Sequence, residues 1–249
     1  MGESVSTFRK DRAPKALALL SLAAALMLAT GAEDLALSVC GPGLDRLALA
    51  VLGVADARSQ LVIHWFLMLA TMTPLLLVTP VRHLWLRSLP HRRVLLLVFF
   101  VIGYFAVWMV AGLPMMFAAQ TIKAASSNAL AWTLALALLW QISPAKQACL
   151  NRCHRRPSLP AFGPAAACAS LTYGAKQGFW CIGACWPLML ATLVLERGMI
   201  GAMVGCTIFL VAERLEPPAP LAWGWRGTNA AARLIAAHWG RRPGGSSAS

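Results

Sequence analysis

Apolar runs of membrane-spanning length recur along the chain, and no other feature narrows its possible folds as far. A helix needs roughly 17 to 25 predominantly apolar residues to cross about 30 Å of hydrocarbon. Six stretches meet or approach that length: 16–31, 61–80, 94–118, 128–143, 177–195 and 198–213. The composition agrees, with 59% apolar and 12% charged residues among 249 and a mean hydropathy of +0.65. An ordinary soluble domain carries about 25% charge. The pattern predicts an all-α fold: a polytopic transmembrane helical bundle of about six spans. Only Glu196-Arg197 separates the last two, so they form a tight hairpin.

Basic residues set the orientation, because cytoplasmic loops are enriched in Lys and Arg. With both termini cytoplasmic, the inner segments receive Arg9, Lys10, Arg12 and Lys15, then Arg82, Arg87, Arg92 and Arg93, then Lys146, Arg152, Arg155, Arg156 and Lys176. Arg214, Arg226, Arg233, Arg241 and Arg242 follow in the tail, leaving only Arg46, Arg58, Lys123 and Arg197 outside. A net charge of +13 then reflects topology and a bilayer with anionic headgroups, and it calls for no nucleic-acid partner. The chain divides into a basic N-terminus (1–15), a transmembrane domain (16–215) and a basic tail (216–249). In that tail, 226–242 reads as an amphipathic helix anchored by Leu234, Ile235 and Trp239.

Two segments complicate this map. The basic start before 16–31 is also the pattern of a secretory signal, and Ala29-Thr30-Gly31-Ala32 is compatible with cleavage; the five later spans favour a retained anchor. The stretch 157–176, with Pro157, Pro160 and Pro164 and a Gly174-Ala175-Lys176 end, is expected to form a helix that lies at the inner interface or dips into the protein rather than crossing. Were it to cross, the carboxyl half would invert. Many of the ten tryptophans fall near span ends, where indoles settle at headgroup level. Charged residues are nearly absent from the spans themselves.

Chemistry concentrates in two cysteine pairs of equal spacing, Cys149-x3-Cys153 and Cys181-x3-Cys185, both assigned near the cytoplasmic face. Pro144 suits the first position of a short helix, and a spacing of four then puts both sulfurs on one face. Gly178 and Gly183 beside the second pair permit close approach of another backbone. Thiolates suit Cu(I), while zinc with His154 as a nitrogen donor is a second option. Lys146, Arg152, Arg155 and Arg156 are expected to lower the thiol pKa values. Buried structural thiols and thiol–disulfide redox work are the alternatives, since C-x3-C is less specific than repeated C-x2-C. A stable disulfide is disfavoured on the cytoplasmic side.

Other soft ligands follow helical spacing. Met189 continues the Cys181–Cys185 stripe, and His64, Met68 and Met72 form an i, i+4, i+8 stripe that could relay Cu(I). Methionine also fills irregular cores, which is the plainer reading of that stripe and of Met115-Met116. No phosphate-cradling glycine loop, His-Glu-x-x-His helix or nucleophile elbow is present, so no soluble catalytic constellation appears.

The run Trp140-Gln141-Ile142-Ser143-Pro144-x-Lys146-x-x-Cys149-Leu150-x-x-Cys153, followed by Tyr173-Gly174 and Gly178-x-x-Cys181-x-Gly183-x-Cys185-Trp186-x-Leu188-Met189-Leu190, resembles the DUF2182 family. His64-Trp65-x-x-Met68-x-x-x-Met72-x-Pro74 and Gly103-Tyr104-x-x-Val107-Trp108 extend the likeness over about residues 60–215, with Thr71 and Thr73 departing from the usual methionine-rich wording. The resemblance implies a bacterial inner-membrane, multi-pass, metal-binding protein. The expected function is soft-metal binding, preferably Cu(I), for delivery, buffering or transport, with a cuproprotein or metallochaperone as partner. A membrane thiol–disulfide oxidoreductase and a non-enzymatic scaffold are the rivals.

Overall fold

A computed structural model of the chain describes residues 55–160, 162–195, 198–225 and 229–239. The first predicted span, Cys40, the Glu196-Arg197 link and the end of the tail lie outside the described residues. All described elements are helical: α1 (Ala55–Arg87), a 3-10 turn at Pro90–Arg92, α2 (Arg93–Ala125), α3 (Ala129–Gln141), α4 (Pro144–Cys153), α5 (Gly163–Val194), α6 (Met199–Leu215) and α7 (Asn229–Trp239). By length and composition, two described helices are able to cross a membrane, Pro90–Ala125 and Gly163–Val194. The first keeps large apolar residues exposed, among them Val94, Ile102, Val110 and Phe117.

The sheath is organised around α5, which packs most extensively on α2 and also touches α3, α4 and α6. Small residues make the α2–α5 approach possible. A Cβ on Gly174 would collide with the carbonyl oxygen of Phe100, one on Gly103 with that of Leu171, and one on Gly178 would lie 2.9 Å from that of Tyr104. These are helix-on-helix contacts through backbone, as glycine at membrane interfaces allows. Gly178 thus behaves as its sequence suggests, whereas Gly183 meets a side chain.

Contact register gives the helix directions. Phe100 meets Gly174 and Tyr104 meets Gly178, so α2 and α5 run parallel. Trp65 pairs with Trp108 and Trp85 with Arg93, so α1 runs antiparallel to α2. Trp65 and Trp108 are core residues at 1% exposure, with Trp65 Nε1 donating to Trp108 O at 3.1 Å. Neighbouring apolar helices bury both indoles in the core cluster.

Two boundaries differ from expectation. Residues 163–176 join 177–194 in one 32-residue helix, about 48 Å long at 1.5 Å per residue. Pro164 sits in the first turn, where proline is tolerated, and the alanine-rich stretch beyond it has nothing to break the helix. The fourth predicted span shortens to the 13 residues of α3, about 20 Å, because Ser143 and Pro144 end it and restart the chain as α4.

Candidate thiol site

Helix α5 carries Cys181, Cys185 and Met189 on one stripe, all buried, as spacing by four requires. Cys181 Sγ accepts from Tyr104 Oη at 3.3 Å and from Arg214 Nη2 at 2.9 Å. Arg214 Nη1 donates to Leu76 O at 3.0 Å, which ties α1, α5 and α6 together at this sulfur.

Helix α4 begins as its sequence indicates. Pro144 occupies the first turn, and the Ser143 hydroxyl caps it by accepting from Lys146 N at 3.2 Å. Cys149 and Cys153 lie one turn apart. A Cβ on Gly183 would stand 2.6 Å from Cys149 Sγ, so the first pair's sulfur rests on the helix segment between Cys181 and Cys185. Trp140 Nε1 donates to Gly183 O at 3.0 Å, and Gln177 Nε2 to Cys153 O at 3.4 Å. From α4's other face, Gln147 Nε2 donates to Gly224 O at 3.2 Å and Asn151 Nδ2 to Ala219 O at 2.6 Å. The segment after α6 therefore presses α4 onto α5.

The expected acidification of the first pair does not occur. Burial pushes the Cys149 thiol up despite the nearby Arg152, and burial, opposed by Arg214 and reinforced by Cys181 and Cys149, pushes Cys153 up to about 12. Two of the basic neighbours are committed elsewhere. The Lys146 ammonium is held by Glu213 at 2.8 Å, and the Arg152 guanidinium lies 4.3 Å from the Trp180 ring centroid. Both thiols should therefore stay protonated at neutral pH. Their proton is kept in the fold after an unfolded chain has lost it, so their contribution to stability falls as pH rises from about 8.5 through the folded values. Cys153 should react with iodoacetamide at pH 8.5 at least about tenfold more slowly than a free thiol. Mass spectrometry of the alkylated peptides checks this, and an equal rate would contradict it.

The remaining candidates are spread around this pair of elements. His154 closes α4 with Nδ1 2.8 Å from Leu150 O and Nε2 3.1 Å from Arg214 O, so both ring nitrogens face carbonyl oxygens. Met68 and Met72 are buried and share one core cluster with Cys181, Cys185 and Met189, together with Met199 and Met203, which sequence spacing did not single out. Met115 and Met116 pack against its edge. The His64 side chain lies outside what is described. Among the described residues no three His, Cys, Asp or Glu side chains stand close enough together to hold a metal ion.

Sequence reasoning missed how the polar groups of the site pair with one another. Gln141, Lys146 and Glu213 form a buried network in which Gln141 bridges the other two. Arg214 and Tyr104 both reach Cys181. For three of them a signal existed: Glu213-Arg214 closes an apolar run, and Tyr104 is one of two tyrosines in the chain.

A family model, PpoB2, described as a copper chaperone, matches residues 62–237. No curated protein and no solved structure matches the chain.

Proposed function

From the premise that this chain belongs to the PpoB2 copper chaperone family, we propose that it is a multi-pass protein of the bacterial inner membrane. Its cargo is Cu(I), held on Cys149, Cys153, Cys181 and Cys185 and passed to a copper protein. The observation that carries this reading is the seating of Cys149 Sγ on Gly183, which brings the two cysteine-bearing helices together. Thiolate and thioether sulfur are the ligands Cu(I) prefers, and Met189 continues the same buried stripe.

Arg214 gives the resting site its logic. Its guanidinium occupies the cation position beside Cys181, and an arriving monovalent metal takes that position in its place. Coordination then needs small rearrangements of α4 against α5, and His154 joins only by releasing a carbonyl. Met68 and Met72, buried in the same core, provide a thioether route along α1. His64 extends that route by its place in the sequence. With its nitrogens so engaged, His154 favours an all-sulfur Cu(I) set over a zinc site.

The membrane architecture in this reading keeps six spans, from 16–31 to α6, with 1–15 and 216–249 inside; α3, at 13 residues the shortest of them, returns the chain between the parallel α2 and α5. The helix directions support it, since α1 opposes α2 and α2 parallels α5, as alternating crossings require. The continuous α5 counts as one crossing, so the carboxyl half keeps its orientation. Anaerobic Cu(I) titration of the detergent-purified protein against a chromophoric chelator tests the site. Wild type should bind stoichiometrically. Cys149→Ser/Cys185→Ser should weaken binding by more than the about 10- to 100-fold typical of an outer-shell change. Equal binding by both proteins would leave the cysteines as packing residues.

A further inference from the structure

A cavity of about 370 Å³ lies between the second half of α1, the end of α4, the first half of α5 and the end of α6. That volume falls within the range of roughly 300–1,000 Å³ of small-ligand sites. Its two sides differ in chemistry. Leu75, Val78 and Thr79 of α1 form an apolar wall that is partly or fully exposed, so the cavity opens along the outer surface of a helix. Its polar lining comes from Arg156 and Arg214, with Cys153, His154, Tyr173 and Gln177 beside them.

The cationic rim is held in place. His83 of α1 lies with Nε2 3.1 Å from Pro157 O, which pins the chain beside Arg156. The His83 ring meets Tyr173 edge-on at 6.1 Å between centroids. Arg156 is exposed, while Arg214 is anchored from within by Leu76 O and Cys181. A ligand satisfying both sides must carry a negative group and an apolar tail. A water-soluble anion gains nothing from the wall, and a zwitterionic lipid has no net charge for the arginines.

We propose that this cavity binds one anionic phospholipid, its phosphate at Arg156 and Arg214 and the start of an acyl chain along Leu75, Val78 and Thr79. Basic pockets between membrane helices on the cytoplasmic side are suited to such headgroups, and the arginines here lie on the side assigned inward. The inference rests on the membrane reading but not on copper binding. Because Arg214 serves both the cavity and Cys181, the lipid and the thiol cluster share one guanidinium.

The test is to reconstitute the full chain into nanodiscs of phosphatidylcholine with and without phosphatidylglycerol. Native mass spectrometry then counts the lipids retained on release. Wild type should retain one phosphatidylglycerol in preference to phosphatidylcholine. Arg156→Gln should reduce that retention about fivefold, the effect of one basic group at a lipid surface. Thr79→Trp or Val78→Phe, which fill the cavity and leave the charges, should abolish it. Equal retention of the two lipids, retention unchanged in these variants, or displacement by free glycerol phosphate would each overturn the proposal. A chain that failed to enter the discs would overturn the membrane reading along with it.

Discussion

Glu213→Leu is expected to lower the stability of the detergent-solubilised protein by about 3–5 kcal/mol, the cost of removing one partner from a buried ion pair. Lys146 is 1% exposed and Glu213 0%. The ammonium is 2.9 and 2.8 Å from the two carboxylate oxygens, and Gln141 donates to one of them while accepting from Lys146. Phe209 offers only its ring face, 5.4 Å from Nζ. Without Glu213 the Lys146 ammonium loses its carboxylate counter-charge in a buried site. The double variant Lys146→Met/Glu213→Leu removes both charges and should recover most of the loss, as apolar replacement of a whole buried pair often does. Thermal unfolding of the single and double variants decides the point: equal destabilisation of all of them would mean that the pair is not the source of the cost.

Gly174→Val should be nearly as damaging. Even alanine places a Cβ against the Phe100 carbonyl oxygen, and a backbone atom in a regular helix cannot swing aside. Overpacking of this kind costs about 1–3 kcal/mol and occasionally more, and valine adds two methyl groups to the clash. The consequence reaches the thiol site, because Tyr104, one turn beyond Phe100, donates to Cys181 across the same interface. Separation of α2 from α5 should therefore raise Cys181 alkylation together with the loss of stability. Gly205 has nothing within 4 Å of its Cβ position, so Gly205→Ala should be neutral or stabilising by up to about 1 kcal/mol from helix propensity. If Gly174→Val and Gly205→Ala behaved alike, close helix approach would not be what holds α2 on α5.

Much of the secondary structure was legible because long apolar runs have few ways to fold. Residues 61–80, 94–118, 177–195 and 198–213 all fall within or nearly within described helices. Pro144 announced the start of α4, since its missing N–H and preset φ suit a first turn. The cysteine-rich motif led toward metal chemistry, and the family that matches is described by copper. Boundaries fared less well at 157–176 and 128–143. Proline and glycine mark where a helix can begin or end, and neighbouring helices decide which marks are used.

What the residues determined by themselves is periodic or compositional: helical segments, the buried stripe of Cys181, Cys185 and Met189, and the pairing of sulfurs one turn apart. These follow from the 3.6-residue repeat and from apolar surface, which act within a segment. Tertiary structure alone decided that Lys146 is spent on Glu213 and that Arg214 stands against Cys181. It also decided that burial outweighs the basic neighbours of Cys149 and Cys153. Each outcome depends on which distant side chain occupies the same few ångströms, and desolvation and ion pairing are fixed by that neighbourhood rather than by spacing along the chain.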